Sequence, residues 1–129
     1  MPHPSIGSNA VSRTSRHVRS GLIRSMCGLL GAVGPSETIV DWARTNLDSL
    51  SHRGPDDSGT WVGESGNVVI GHRRLAVIDT SSAGHQPMSS ADGSCTIALN
   101  GEIYNYLELR RELVALGHVF RSESDTEVL

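Results

Sequence analysis

The 129-residue sequence contains no lysine, and its 11 strongly basic residues are all arginines. It has only two cysteines, which excludes a disulfide-dense scaffold. No stretch approaches about 18 uninterrupted apolar residues, so no transmembrane helix is predicted. A glycine-rich phosphate-binding loop is absent, and no histidine lies at a recognisable ligand spacing with another histidine, cysteine or acid. We therefore expect no nucleotide, no metal and no other cofactor to bind this chain.

Acidic residues are missing from the first 26 positions. This head contains four arginines and no acid, whereas residues 27–129 contain seven arginines and all 14 acids. The body therefore carries a formal charge of −7 and the head one of +4, within a net charge of −3. An acidic body lacks the basic face that is typical of nucleic-acid-binding proteins, so we expect no nucleic-acid partner.

Residues 1–26 are predicted to lie outside the folded domain. They are rich in Ser and Arg and have no apolar periodicity, which is typical of a disordered segment. The same composition is that of an organellar transit peptide, although the apolar core of a secretory signal is absent. A third interpretation, which we favour, is that translation begins at Met26 and that the preceding residues are mis-assigned.

From Cys27 onward, apolar patterning predicts runs of strands with few helices. One helix is predicted from Ser36, which can cap it, and another from Asn105 to a stop at Gly117. Short turns between strands favour antiparallel pairing with helices on the sheet faces, hence an α+β fold. A capping box from Ser124 to Glu127 begins a last helix as the chain stops, so we expect an unfinished domain. The predicted strands are 27–33, 60–62, 68–72, 75–78, 95–99 and 119–121.

The two cysteines have different predicted environments. Cys27 follows Met26, and an initiator methionine is removable before a small side chain, which would leave Cys27 with a free α-amino group. That amine has a pKa of about 7.7–8.0, so it can serve as base for its own thiol, whose pKa is about 8.5. The alternative for Cys27 is a buried apolar residue in a strand. Cys95 alternates with apolar residues, which favours a position in the core.

Two further pairs of residues are candidates for binding an amino-acid substrate. Asn100-Gly101 is typical of a tight turn, but a side-chain amide beside a glycine N–H also makes a two-donor oxyanion hole. Arg74 would bind an α-carboxylate through its guanidinium, and Asp125 would pair with an α-ammonium. The alternatives are a solvated strand edge for Arg74 and an ordinary first-turn acid for Asp125.

The body contains six distinctive segments, which in order are MCGLLGAVG, SHRGPDDSG, GHRRLAVID, GHQPM, NGEIYNYLELRRELVALGH and SDTEVL. Together they resemble the N-terminal glutaminase domain of glutamine-hydrolysing asparagine synthetase. This domain is a class II, N-terminal nucleophile glutamine amidotransferase. The resemblance implies an α+β fold over residues 27–129: an αββα sandwich of two antiparallel sheets, incomplete at the C-terminus. Two of the segments, HRGPD and NGEIYN, favour asparagine synthetase over the sugar and purine amidotransferases.

The resemblance also implies roles for individual residues. Cys27 is implied to attack the side-chain amide of glutamine, with Asn100 and Gly101 as the oxyanion hole. The HRGPD loop, and Arg53 especially, is implied to order the pocket. The implied substrate-binding residues are Arg74 for the carboxylate, Asp125 for the amine, Glu102 beside the amino group, and Leu75 and Val77 in the pocket wall.

The same resemblance implies partners beyond this chain. Ammonia would pass to a C-terminal synthetase domain that uses ATP and magnesium to make asparagine from aspartate, in a cytoplasmic enzyme that is a homodimer at full length. Two alternatives stay open: a domain serving another acceptor, such as a cell-surface or polysaccharide precursor, and an inactive amino-acid-binding fragment. Residues 27–129 alone are expected to be marginally stable, because missing strands leave open edges and an uncovered apolar face.

Overall fold

The computed structural model describes residues 26–129, and the predictions for residues 1–25 lie outside this part of the chain. The predicted α+β class with antiparallel sheets is confirmed. Neither helix in the described part combines the length and apolar character needed to cross a bilayer. The elements are β1 (Gly28–Val33), α1 (Ser36–Ser49), β2 (Asp57–Val62), β3 (Val68–Arg74), β4 (Met88–Ser89), β5 (Thr96–Ile97) and α2 (Tyr106–Ala115), with short 3-10 helices at Ser82–Gly84 and Asp125–Val128.

The larger sheet has three strands in the order β1–β3–β2, and both of its pairings are antiparallel. The central strand, β3, places Arg73 opposite Gly28 of β1 and Arg74 opposite Asp57 of β2. This register brings the beginning of β1 and the beginning of β2 to the end of β3. Strands β4 and β5 form a separate two-stranded antiparallel sheet.

Helix α1 covers one face of the larger sheet, and the core lies between them. Val69 of β3 is fully buried there, and the Arg73 Nε–H donates to a carbonyl of α1 at 3.2 Å. Because side chains alternate across a strand, His72 and Arg74 project from the opposite face. The buried residues of α1 follow the spacing of one helical stripe and are Ile39, Ala43 and Leu47.

The face opposite α1 is covered at one end only. There the loop 79–86 packs so closely on β2 that a Cβ on Gly59 would collide with the Gln86 carbonyl. On the edge strand β1, Leu29, which pairs with His72, is 45% exposed, and Val33 at the end of the strand is 80% exposed. The expected uncovered apolar face is therefore present in the described part, and the marginal stability inferred from it stays a prediction.

The boundaries of the two helices were predicted more accurately than their capping residues. Ser36 is predicted to cap α1, but it is the first helical residue, and Pro35 precedes it with no side-chain cap hydrogen bond. Helix α2 follows Asn105 as predicted and ends before Gly117, whose φ of +94° lies in the region that favours glycine.

The predicted capping box at the chain end is half correct. The Ser124 hydroxyl accepts a hydrogen bond from the Thr126 N–H at 3.2 Å, as a cap should. The Glu127 carboxylate does not accept the Ser124 N–H, as a capping box requires. It accepts instead the backbone N–H groups of Arg121 and Ser122, each at 2.8 Å. Burial opposes the ionisation of Glu127, but hydrogen bonds from Ser122 and Arg121 outweigh it and lower the pKa of the carboxyl.

The strand predicted at 75–78 is wrong. Its first two backbone N–H groups find partners outside any sheet. Leu75 donates to the Cys27 Sγ at 3.3 Å, and Ala76 donates to the Asp56 carboxylate at 2.8 Å. This segment is a loop that follows β3 and lies against the beginning of β1.

Two other predicted strands are also corrected. Residues 119–121 form no strand, because the Glu127 carboxylate takes a backbone N–H there. The strand predicted at 95–99 is reduced to two residues, and the Cys95 N–H donates to the Ser90 hydroxyl at 3.0 Å. Cys95, predicted in the core, is exposed because it lies in this turn, and both cysteines are free.

Candidate active site

The Cys27 thiol lies immediately before β1 and is half-buried. Its Sγ accepts the Leu75 N–H at 3.3 Å, and its S–H donates to the Leu75 carbonyl at 3.8 Å. The Cys27 carbonyl accepts a hydrogen bond from the Arg53 Nε–H at 3.2 Å. The thiol is therefore fixed beside a residue implied to line the pocket, and Arg53 holds its backbone.

The HRGPD turn is itself packed against the end of β3. The Asp56 N–H donates to the Arg74 carbonyl at 3.0 Å, and the Asp56 carboxylate accepts the Ala76 N–H. A Cβ on Gly54 would collide with the backbone of β3 at this point, so only glycine permits such a close approach. The turn thus lies between Cys27 and the strand that carries Arg74.

Arg74 ends β3 and is 7% exposed, so the alternative of a solvated strand edge is wrong. Its guanidinium donates to the Ser81 carbonyl at 2.9 Å and to the Asp79 carbonyl. A Cβ on Gly84 would collide with this guanidinium. The side chain therefore organises the loop after β3.

Asp125 lies in the last 3-10 helix and is 6% exposed. Its carboxylate accepts the Ile103 N–H at 2.9 Å. This bond ties the candidate for amine binding to the loop that carries Asn100, Gly101 and Glu102, all three of which are exposed. The Ile103–Asp125 hydrogen bond therefore connects the predicted oxyanion hole to the predicted amine-binding carboxylate.

The sequence analysis missed Asp79, a buried carboxylate that joins two distant segments. One oxygen accepts the Ser81 N–H at 2.8 Å and the other accepts the Glu123 N–H at 2.9 Å. The hydrogen bonds from Ser81 and Glu123 hold the pKa of Asp79 below its usual value, and nearby Arg74 acts in the same direction. Asp79 thereby connects the loop that Arg74 organises to the segment that precedes Asp125.

Gln86 was also missed, although it lies in the GHQPM segment. Its side chain is 6% exposed. The Oε1 accepts the Leu99 N–H at 2.6 Å, and the Nε2 donates to the Thr126 hydroxyl at 3.0 Å. A buried amide has no sequence signature that distinguishes it from a loop glutamine, so only its motif could have drawn attention to it.

His72 on β3 is also a buried polar side chain of this region, with no exposed surface. Burial lowers its pKa and Arg74 acts in the same direction, while a hydrogen bond to the Leu99 carbonyl opposes them. The neutral ring donates through Nε2 to that carbonyl at 3.2 Å, and its Nδ1 has no hydrogen-bond partner among residues 26–129. His72 therefore serves as a hydrogen-bond donor to the chain just before Asn100.

The predicted site residues are only partly in direct contact. In the described part of the chain, no hydrogen bond or ion pair joins Cys27 to Asn100, or Arg74 to Asp125. Val77, implied in the pocket wall, is 70% exposed. The connections run instead through the buried side chains described above, and the roles of the predicted residues in binding glutamine stay predictions.

Among the residues that the structure describes, no group of three or more His, Cys, Asp and Glu side chains is arranged to hold a metal ion. Two histidines of this region have protein partners: His72 bonds to the Leu99 carbonyl, and His85 Nδ1 lies 2.7 Å from the Asp57 carboxylate. At Cys27 the structure places a thiol beside the Leu75 N–H, with the Arg53 guanidinium on the Cys27 carbonyl.

Comparison with known proteins shows the family of this chain. The family model of the glutamine amidotransferase domain matches residues 26–129, and the chain belongs to this family. It is 53% identical over 109 residues to glutamine-hydrolyzing asparagine synthetase 1 of Bacillus subtilis and 48% identical over 109 residues to asparagine synthetase 3 of the same organism. Each alignment covers 81% of this chain and 17% of the relative, so the chain spans a small part of those proteins.

A fungal protein with a different name is also similar. The chain is 36% identical over 96 residues to amidase chry2 of Gibberella zeae, an alignment that covers 74% of this chain and 14% of that protein. The identities to the asparagine synthetases are higher over more residues, which agrees with the branch that HRGPD and NGEIYN indicate.

Proposed function

We propose that this domain hydrolyses glutamine to glutamate and ammonia, with Cys27 as the nucleophile. The observation that carries the proposal is the Cys27 thiol, held beside Leu75 at the entrance to β1 and one residue after the family match begins. The names of the relatives, which are glutamine-hydrolysing asparagine synthetases, support glutamine as the substrate.

The reaction is an acyl transfer in which the α-amino group of Cys27 serves as the base. The amine takes the thiol proton, and the thiolate attacks the side-chain amide carbon of glutamine to give a tetrahedral oxyanion. The oxyanion collapses, the C–N bond breaks, and the leaving nitrogen takes the proton from the amine and departs as ammonia. Water then attacks the thioester and releases glutamate and the thiol. This scheme requires a free amino group at Cys27.

Donors for the oxyanion are proposed to be the Asn100 side-chain amide and the Gly101 N–H. Both residues are exposed, so their donors are open to a substrate. Loss of one such donor typically reduces the rate by about 10²–10³. The absence of a side chain at Gly101 lets the substrate approach the backbone closely.

Recognition of the amino-acid end of glutamine is proposed to use opposite charges. Arg74 would bind the α-carboxylate through the N–H groups that its two carbonyl partners leave free. Asp125 would bind the α-ammonium with the help of Glu102, while Leu75 and Val77 form the wall of the pocket. Asp125 is buried and already accepts one N–H, which supports an oriented carboxylate at that position.

The ammonia is proposed to serve ATP-dependent asparagine synthesis from aspartate by a synthetase domain of the whole protein. The similarity to two synthetases over 81% of this chain supports this acceptor over the alternatives. ATP and magnesium would act in that domain, and no step through them is derived for the residues described. A cytoplasmic location and a homodimer of the whole protein belong to the same proposal.

The test begins with the intact mass of the purified protein, which establishes whether it starts at Met1, Met26 or Cys27. Ammonia release from glutamine is then measured for the wild type, Cys27→Ala and Cys95→Ala. We expect Cys27→Ala to abolish release and Cys95→Ala to retain it, because Cys95 is exposed in a turn outside the site.

Three outcomes would contradict parts of this proposal. Ammonia release that survives in Cys27→Ala would exclude Cys27 as the nucleophile. Glutamine binding without Cys27-dependent release would favour the amino-acid-binding alternative. A chain that retains residues 1–26 yet works as fast as one beginning at Cys27 would exclude the α-amine as the base.

A further inference from the structure

We propose that Gln86 is a positioning residue, which holds the backbone that presents the oxyanion-hole donors and links it to the amine-binding end of the site. The inference rests on the proposed glutaminase function. It assigns Gln86 a role in that function although Gln86 does not contact the substrate. Its basis is a pair of hydrogen bonds from one buried side chain to two segments that the chain order keeps apart.

The Gln86 amide has a single satisfactory orientation. Its Oε1 accepts from the Leu99 N–H at 2.6 Å, and a backbone N–H can only donate, so the oxygen must face Leu99. The Nε2 then faces the Thr126 hydroxyl at 3.0 Å, which can accept. Gln86 and Thr126 are 6% and 2% exposed, so water competes little for either bond.

Leu99 is held through both of its backbone polar groups. Gln86 fixes its N–H, and the fully buried His72 donates to its carbonyl at 3.2 Å. The first group belongs to the peptide plane before Leu99, and the second to the plane shared with Asn100. The two bonds therefore define the direction in which the chain enters the Asn100-Gly101 pair.

The donors themselves have little else to hold them. Asn100 and Gly101 are exposed, and in the described part of the chain the Asn100 side chain forms no hydrogen bond. An oxyanion hole stabilises the transition state only when its donors are oriented in advance, because reorientation during the reaction reduces the benefit. The order of this pair must therefore come from its neighbours: Leu99 on one side and Ile103, bonded to Asp125, on the other.

The bond to Thr126 extends the same unit to the other end of the substrate. Thr126 follows Asp125 directly in the last 3-10 helix. One Gln86 amide thus spans the residue before the oxyanion donors and the residue after the carboxylate proposed to bind the amine. Gln86 would therefore fix the position of the oxyanion donors relative to the carboxylate that binds the substrate amine.

The experiment compares three variants in steady-state glutaminase assays, each purified in the form whose intact mass shows a free amino group at Cys27. Gln86→Met keeps the length of the side chain but removes both hydrogen-bonding groups. Thr126→Val removes only the bond to the hydroxyl and keeps the bond to Leu99. Val69→Ala is the control for lost stability, because Val69 packs in the core under α1 and not in the site.

We expect Gln86→Met to lower kcat by at least about tenfold, because the oxyanion donors act in the transition state, and to raise KM as Thr126→Val does, because it removes the bond to Thr126 as well. Thr126→Val should raise KM and leave kcat within about threefold, because its effect falls on the Asp125 end. Val69→Ala should lower the unfolding midpoint and leave both constants near those of the wild type. A kcat for Gln86→Met within threefold of the wild type, or an equal fall of kcat in Thr126→Val, would overturn the inference.

Amide hydrogen exchange separates this inference from the proposed function. Gln86→Met should lose protection at Leu99, while β1 and β3 keep theirs. If the wild type releases no ammonia in a Cys27-dependent manner, the proposed function fails, yet a local loss of protection at Leu99 still supports Gln86 as the residue that holds this backbone. Unchanged protection at Leu99 in Gln86→Met would overturn the inference whether or not the wild type is active.

Discussion

Replacing Asp79 by asparagine changes one buried carboxylate oxygen to an NH2 group and leaves the size of the side chain unaltered. In the wild type, one oxygen accepts the Ser81 N–H at 2.8 Å and the other accepts the Glu123 N–H at 2.9 Å. An asparagine has only one acceptor oxygen, so one of these N–H groups would face another donor. The bond to Glu123 connects residues 44 apart in sequence, so its loss separates two parts of the site.

The magnitude follows from the two bonds. A hydrogen bond to a charged group contributes about 1.5–3 kcal/mol, and a buried donor without an acceptor costs about 1–3 kcal/mol. Since the bond that survives also loses its charge, we expect Asp79→Asn to reduce the free energy of unfolding by about 2–4 kcal/mol. That is a large fraction of the roughly 5–15 kcal/mol of an ordinary domain.

The effect also has a predicted pH dependence. Hydrogen bonds from Ser81 and Glu123 hold the folded-state pKa of Asp79 below its ordinary value of 3.8. The stability that comes from ionised Asp79 is therefore fully present above the unfolded-state pKa and is lost as the pH falls through the lower folded-state pKa. Asparagine does not titrate, so the difference between wild type and Asp79→Asn should be largest at neutral pH and shrink in acid.

The assay is urea unfolding at pH 7 and pH 3, followed by the fluorescence of the two tryptophans. Asp92→Asn is the matched control, since hydrogen bonds from Ser90 and Ser94 lower the Asp92 pKa to about 2, but all three residues lie in one exposed turn. Asp92→Asn should therefore change stability much less than Asp79→Asn. Equal losses in the two variants, or a loss for Asp79→Asn that is the same at both pH values, would refute the reasoning.

Two glycine substitutions make further predictions. Gly59→Ala should destabilise the protein by about 1–3 kcal/mol in urea unfolding, because its Cβ would collide with the Gln86 carbonyl. Gly31→Ala is its control, since that Cβ would meet only a backbone oxygen at 3.9 Å; equal losses would contradict the packing described for the loop. Gly101→Ala should keep the stability of the wild type, because its Cβ comes no closer than 3.5 Å to Leu99, and yet lower ammonia release by obstructing the substrate; unchanged release would exclude Gly101 from the oxyanion hole.

Local patterns in the sequence predicted the elements that carry a clear apolar periodicity. The strands that became β1, β2 and β3 follow apolar runs, and α1 follows a stripe of apolar residues at helical spacing. The segments 75–78 and 119–121 have equally apolar composition but form no strand. Their backbone N–H groups are taken by side chains from elsewhere in the chain, and no window of the sequence contains that information.

The residues of the candidate site also differ in whether the sequence could indicate them. Cys27 could be found from the sequence because its chemistry depends on its position next to Met26, and Asn100-Gly101 because a dipeptide carries both donors. Gln86 could not be found, because its importance lies in partners 13 and 40 residues away. A buried amide in a loop looks in sequence like any solvated glutamine.

The sequence by itself therefore determined the class of fold and the family, and it supplied Cys27 as the candidate nucleophile. Each of these depends on residue types at fixed short spacings, which folding does not alter. Only the tertiary structure decided that Arg74 is buried and bonded to two carbonyls, that Asp79 joins its loop to Glu123, and that Gln86 bridges Leu99 and Thr126. The physical reason is that buried polar groups must find hydrogen-bond partners wherever the packed chain places them, and those partners are remote in sequence.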